Sequence, residues 1–455
     1  MEAEVASEQG YPVRTYAWYA VCLFYLACVL SYVDRQIMSY LVAPIRAHFA
    51  INDFRFSLLH GFAFVLFYSA FALPIARLTD RYNRRVIVVT GITLWSLMTM
   101  ACGLANSYTE FFLARLGVGI GEAVLTPAAI SIIADSFPPD RRALPIAVYT
   151  SGVHGGSALA NIIGGLVVGY TMAGGLAGTP LLGSLSGWQA VFVLVGAPGL
   201  LFAPFLFTVV EPRRRERLGR SNVSFRQVLS YLGAHWRPYL STIFGGAFSA
   251  MSGYASSAWV PALFARRYGW PPSAIGPVFG TIMLTCGTVG PLIGGWVCGR
   301  LARAGRSAAP TEVMIVCMCC AVVPAGALIA VHSPYWTLGC LAMMSLLGTP
   351  LGLAQVAIQA MTPNEMRAQF IALYLLVVVL FGSAIGSSSV AALTDYYFKH
   401  DADVGSSMAI VSAGAAVLSA LSFLSGLSAH RRAMARTGVA TGAVVTDTGI
   451  GQHAA

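Results

Sequence analysis

The sequence predicts an all-α integral membrane protein: twelve transmembrane helices in two six-helix bundles related by a parallel pseudo-two-fold repeat. Three observations carry this expectation. First, 57% of the 455 residues are hydrophobic, only 10% are charged, and the mean hydropathy is +0.71. A soluble domain carries about 25% charged residues. Second, apolar runs of the length a bilayer requires, about 20 residues each, follow one another along nearly the whole chain. Third, the two halves share a sequence pattern. The composition excludes a disordered chain, a fibrous repeat and a disulfide scaffold, and it argues against a soluble enzyme.

Length and flanking charge place the first six spans at 17–42, 56–76, 86–105, 108–134, 144–170 and 188–210. The second six fall at 238–264, 273–299, 313–331, 335–361, 368–394 and 406–428. This divides the chain into a short tail (1–15), a first bundle (16–210), a linker (211–237), a second bundle (238–430) and a Gly/Thr/Ala-rich tail (431–455) expected to be disordered after Arg436. The N-terminal MEAEVASEQG is acidic and lacks the basic segment of a cleaved signal, so the first span is expected to persist in the mature chain.

The charge balance is +10, from 28 Lys+Arg against 18 Asp+Glu, and the single lysine is Lys399. With the N-terminus placed inside, the inner segments hold most of the arginines. The outer loops hold only Arg46, Arg55, Arg266, Arg267 and Lys399, while Arg35 and Arg115 fall within spans. That asymmetry predicts both termini in the cytoplasm of a cell inner (plasma) membrane protein. It also explains the run EPRRRERLGR in the linker without invoking nucleic acid. The nine cysteines lie in apolar stretches without a histidine-bearing CxxC pattern. They read as small buried hydrophobes, and no metal site or cofactor is expected.

The repeat is specific. Arg142-Ala-Leu-Pro-Ile-Ala-Val-Tyr149 opens the fifth span and Arg367-Ala-Gln-Phe-Ile-Ala-Leu-Tyr374 the eleventh, each with a proline four residues before its arginine (Pro138, Pro363). Asp80-Arg-Tyr-Asn-Arg84 is echoed by Gly299-Arg-Leu-Ala-Arg303 after the eighth span. A parallel repeat places a cavity between the halves, which rocking exposes to alternate sides.

Ionisable residues within spans are costly and mark function by default. The first span holds Asp34 and Arg35, and the fourth holds Arg115 and Glu122. Arg115 and Glu122 are two helical turns apart, so they share a face, roughly 10 Å apart along the axis. His60, His154 and Asn161 add polar groups in the first half, whereas the second half offers only mild ones, including Tyr254, Gln355 and Gln359. One charged wall facing a mild wall suits a small amphipathic solute. Two readings of the carboxylates stay open: halves of static salt bridges with Arg35 and Arg115, or proton-exchanging groups that couple transport. Gly117-Val-Gly-Ile-Gly121 follows no strand and reads as a helix-packing surface, not a nucleotide loop. His154-Gly-Gly-Ser157 has no nucleophile elbow to serve. No Walker lysine motif or catalytic constellation emerges, so the chain is not expected to be an enzyme.

The residues resemble the major facilitator superfamily. Ala76-Arg-Leu-Thr-Asp80-Arg-Tyr-Asn-Arg84-Arg85 is similar to that family's loop signature G-x-L-x-D-R-x-G-R-R, with Ala76 and Asn83 at two glycine positions. Arg115-x-x-x-Gly119-x-Gly121-x-Ala123 resembles its fourth-span motif. Gly156-Ser-Ala-Leu-Ala160-Asn161-Ile-Ile-Gly164-Gly165 resembles its antiporter signature, with Ala160-Asn161 replacing Gly-Pro. VDRQ, DRYNR and G-x-G-E-A look most like the spinster-like branch, linked to sphingolipid and lysolipid transport. The resemblance implies proton coupling through Asp34, Arg35 and Glu122. It also implies a gating loop of Asp80, Arg81, Arg84 and Arg85, in which Asp80 meets the eleventh helix and Arg84 pairs with Asp135. The expectation is a monomeric secondary transporter working by alternating access among membrane lipids, with protons as the coupling ion and no other cofactor. Export of an amphipathic solute leads. Symport or facilitated uptake of a small organic anion is the alternative, and a receptor or scaffold without transport is the reading from another class.

Overall fold

The structure, a computed structural model, describes residues 11–138, 141–176, 178–180, 182–212, 214, 225–363 and 365–446; within these the side chains of 72, 73, 76, 80, 154, 225, 368 and 434–446 lie outside the description. Twelve long helices run through the described residues: α1 Arg14–Tyr40, α2 53–81, α3 Arg84–Leu104, α4 Tyr108–Ser136, α5 Ala143–Met172 and α6 Gly187–Thr208. Then come α7 Trp236–Tyr268, α8 Pro272–Arg303, α9 Ala309–Ala327, α10 Pro334–Met361, α11 367–398 and α12 Val404–Thr446. Eleven are both long and apolar enough to cross a bilayer. The exception by composition is α7, although at 33 residues it has the length. Its serines explain the deficit. Ser252 and Ser256 bond Ser412 of α12, so polar groups that lower its hydropathy are satisfied against a neighbouring helix.

Proline sets the breaks. In α4 the helix stops at Glu122 and restarts at Leu125. Pro127 cannot donate to Ala123, and its ring crowds that carbonyl. In α10 the break between Leu346 and Pro350 has the same cause. Fourth and tenth helices thus break alike, as a repeat requires. After α1, Pro44 forces a new short helix, Val42–Phe49, to begin past Tyr40. The linker is partly helical, at Phe225–Ala234. The arginines at 213, 215, 217 and 220 lie outside the described residues.

Two expectations need revision. Helix α12 runs on to Thr446, past Arg436 where disorder was predicted. The stretch His430–Arg436 is rich in Ala, Arg and Met, good helix formers with no breaker. Cysteine burial is also incomplete. Cys28, Cys102 and Cys298 are buried, whereas Cys22, Cys319 and Cys320 are exposed. They share that exposure with apolar side chains of the spans such as Leu26, Leu292 and Val323.

The two sets of six helices meet along two seams. In one, α5 crosses α8 backbone to backbone. A Cβ on Gly165 would lie 2.5 Å from the Pro272 carbonyl oxygen and 2.7 Å from the Gly276 Cα, so only glycine permits this approach. In the other, α2 meets α11. Both seams lie toward the end of the bundle opposite the chain termini, here called the distal end. There the connections carry an ion-pair network between the halves. Asp53 at the start of α2 accepts both ends of the Arg266 guanidinium of α7, at 2.6 and 2.7 Å. Arg46 lies 3.0 Å from Asp53 and 2.6 Å from Asp401, just before α12. The Asp395 carboxylate of α11 accepts from the Phe54 backbone N–H at 2.7 Å.

Candidate functional site

The four ionisable residues within the spans come together, and they pair crosswise. Arg35, adjacent to Asp34 in sequence, donates from Nε to Glu122 Oε2 at 2.5 Å. Arg115, on the same helix as Glu122, faces Asp34, with Nη1 3.8 Å from Oδ1. One helical step separates Asp34 from Arg35, so their side chains leave α1 in different directions. Two turns along α4 bring the complementary charges to meet them. Each helix contributes one acid and one base, and the four charges sum to zero.

The shell around them is hydroxylic and aromatic. Ser31 Oγ donates to Glu122 Oε2 at 2.6 Å, and Thr99 Oγ1 donates to Asp34 Oδ2. The Arg35 guanidinium lies 4.5 Å from the Phe64 ring centroid, with Tyr32 at 5.2 Å and Tyr68 at 5.3 Å. Such faces stabilise a desolvated cation. Phe64 also serves Arg115, at 5.9 Å.

Pairing is incomplete. Asp34 Oδ1, Glu122 Oε1, Arg115 Nε and Arg115 Nη1 are buried without a hydrogen-bond partner. Asp34, Arg115 and Glu122 are all at most 2% exposed, but the Arg35 side chain is 27% exposed. Arg35 is therefore the member of the cluster that a solute can reach. Chemically, a proton added to Glu122 would cancel the charge that neutralises Arg35 and weaken their bond.

The remaining sequence-predicted residues divide. His60 and Tyr254 line a small cavity with Gln36, Ser257, Ala258 and Ser383, drawn from α1, α2, α7 and α11. Asn161 does not face it, contrary to the expectation of a cavity residue. It is fully buried, accepting from the Tyr40 hydroxyl at 2.8 Å and donating to the Ser157 carbonyl at 2.8 Å. Gln355 is half-buried and Gln359 exposed on α10, and neither is among the residues lining that cavity. The side chain of His154 lies outside the described residues.

At the terminal end, Arg84 is 2% exposed and sits at the centre of a knot. It contacts Asp135 at 2.5 Å and Glu211 at 2.7 Å, and donates to Ser131 and the Pro212 carbonyl. Arg85 donates to the Phe207 and Val209 carbonyls. Arg81 is exposed over the Tyr82 ring. The Asp80 side chain lies outside the described residues. Sequence reasoning missed Ser31, Thr99, Glu211 and the distal Asp53–Arg266 pair. Of these, only Arg266 stands out in the sequence, as an outer-loop arginine.

Comparisons with known proteins place this geometry. Residues 24–387 match the profile of the Major Facilitator Superfamily. An MFS-type efflux pump of Mycolicibacterium smegmatis is 31% identical over 386 residues, covering 83% of this chain and 85% of that protein. Protein spinster homolog 1 of Xenopus laevis is 34% identical over 185 residues, 39% of this chain and 34% of its own. Among solved structures, a bacterial homologue of the human lysosomal transporter spinster, in an inward-facing and unoccupied conformation, superposes with a TM-score of 0.78 at 25% identity, covering 94% of this chain and 98% of that one. With twelve long helices, paired halves and these matches, the chain belongs to the Major Facilitator Superfamily and is a spinster-like, multi-pass membrane transporter.

Proposed function

We propose that this protein is a proton-coupled secondary transporter that exports an amphipathic solute by alternating access. The crossed cluster Asp34–Arg115 and Arg35–Glu122 is the observation that carries the reading. Glu122 neutralises Arg35 while deprotonated. A proton arriving at Glu122 releases Arg35, whose unpaired charge in a low-dielectric wall costs several kcal/mol by most estimates. Two events relieve that cost: an anionic headgroup pairing with Arg35, or rearrangement of the halves. Either makes proton binding and solute binding depend on each other. Asp34 and Arg115 form the second, deeper unit of the relay, held by Thr99.

The distal ion-pair network and the α5–α8 glycine seam hold the halves together at one end, which supports a conformer closed on the outer side. The gating loop acts at the other end through Arg84, Arg85 and Asp135, with the exposed Arg81 beside them. Placement of arginines argues for an inner membrane protein with both termini cytoplasmic, acting as a monomer among lipids. Protons are the only coupling ion, and no enzymatic step is involved.

Proteoliposomes with imposed pH gradients test the reading. Outward solute movement is expected to be driven by inward proton movement, and lost in Glu122→Gln and Asp34→Asn. If Glu122→Gln transports at the wild-type rate with the wild-type pH dependence, Glu122 is not the proton site. The second reading is symport or facilitated uptake of a small organic anion. It draws support from the accessible Arg35 guanidinium, which suits a carboxylate. The reversed gradient driving uptake would select it.

A further inference from the structure

The linker helix Phe225–Ala234 ends one residue before α7 begins at Trp236, so it lies where a spanning helix meets the membrane surface, at the terminal end. The helix is two-faced. Val228 is buried, and Tyr231 and Leu232 pack beside it against the second half. The Tyr231 ring meets Phe370 of α11 and Tyr239 of α7 edge-on, each with centroids 6.1 Å apart. Arg226, Leu229, Ser230 and Gly233 are exposed, and their spacing puts them together on the opposite face. A face that mixes leucine with arginine beside a span fits the boundary between lipid tails and headgroups.

Two stacks continue this chemistry at the same end of α7 and α8. The Arg237 guanidinium lies 5.4 Å from the Trp236 ring centroid, and that of Arg300 lies 4.7 Å from Trp296. Both tryptophans are more than half exposed, and tryptophans at span ends sit at headgroup level. Stacking uses the face of a guanidinium and leaves its N–H edge free, the edge that holds phosphate oxygens in pairs. Among the described residues, Arg226, Arg237 and Arg300 are exposed and make neither an ion pair nor a hydrogen bond. The neighbouring arginines differ. Glu312 takes Arg306 and Arg431 at 3.0 and 2.9 Å. Backbone carbonyls take Arg303, Arg367 and Arg432. No acidic residue occurs in 225–240 or 290–303 to compensate the three free cations.

We propose that the outer face of the linker helix, with the Trp236–Arg237 and Trp296–Arg300 stacks, is a binding surface for anionic phospholipids of the adjoining leaflet, whose phosphates bond Arg226, Arg237 and Arg300. Charge complementarity selects the occupant. A zwitterionic headgroup brings its own cation against the free guanidiniums, whereas an anionic one does not. Leu229 and the tryptophan rings meet the glycerol and upper chain of the same lipid, so the surface reads a headgroup fixed to a tail. The surface lies outside the central cavity and does not depend on which solute is carried or on proton coupling.

Lipid binding to the purified full chain tests this. The chain in detergent is titrated with phosphatidylglycerol or phosphatidylcholine of the same acyl chains, and native mass spectrometry counts the lipids retained. The wild type is expected to bind phosphatidylglycerol at least about tenfold more tightly. Arg226→Gln, Arg237→Gln and Arg300→Gln together are expected to bring the two affinities within about twofold. Arg303→Gln, Arg431→Gln and Arg432→Gln together remove the same charge at the same end and are expected to keep a preference above about fivefold. Arg226→Gln alone, expected to weaken phosphatidylglycerol binding about threefold, serves if the first triple variant does not fold. Equal affinities in the wild type, a preference that survives the first triple variant, or equal loss in both triple variants overturns the proposal. Release of the lipid by millimolar inorganic phosphate also overturns it, because the surface would then be a free-phosphate site.

Discussion

Asp53→Asn perturbs the distal closure with almost no change of shape. The Asp53 side chain is fully buried, and it accepts two bonds from Arg266, 2.6 and 2.7 Å long, across the junction of α2 and α7. Arg46 also touches it at 3.0 Å, but Arg46 keeps Asp401 at 2.6 Å. The substitution therefore strands one guanidinium, that of Arg266, whose side chain is 13% exposed. Breaking a buried pair by removing one partner costs about 3–5 kcal/mol. Partial exposure of Arg266, and its position 5.8 Å from the Trp259 ring, reduce this to about 2–3 kcal/mol. If the network forms only when the distal end is closed, that energy is lost from the closed conformer alone. A 2.8 kcal/mol bias shifts the closed-to-open ratio about a hundredfold. Pulsed electron spin distance measurement between labels on the α1–α2 and α7–α8 connections reads the populations directly. A wider distal distance should dominate in Asp53→Asn. Asp401→Asn removes only a half-exposed contact and is expected to shift the distances little. Identical distance distributions for Asp53→Asn and wild type would refute the assignment of this network as the distal latch.

Gly165→Val should open the same end by a different route. Its Cβ would sit 2.5 Å from the Pro272 carbonyl oxygen, so α5 and α8 must separate at a cost of about 1–3 kcal/mol, visible in the same distance measurement and as slowed transport. Arg84→Met should destabilise the first half, because Asp135 and Glu211 lose their common cation. A loss of about 3–5 kcal/mol is expected, read as a lowered melting temperature with the ligand-binding pattern unchanged. Glu122→Gln is expected to abolish the response to a pH gradient in liposomes while leaving solute binding measurable.

The membrane class, the spans and the intramembrane charges were legible in the chain because each rests on local composition. An apolar run must cross a bilayer whatever its neighbours are, and Asp34, Arg35, Arg115 and Glu122 stand out against such runs. Proline positions likewise foreshadow the breaks in α4 and α10 through a clash within one helix. What needed the tertiary structure was every relation between helices. The crossed pairing of Arg35 with Glu122 depends on the rotation and depth of α1 against α4, which a single-helix argument does not reach. Asn161 reads as a cavity amide from sequence, whereas in the fold its oxygen accepts from Tyr40 of α1. Ser31 and Thr99 were hidden among many hydroxyls that merely bond their own helix. The distal latch joins α2, α7 and the approach to α12, segments far apart in sequence. Composition therefore determined that this chain enters a membrane and carries charge there. Packing between helices decided which charges meet, which remain unpartnered and where the halves lock, because contact energies fall off within a few ångströms and only the folded arrangement sets those distances.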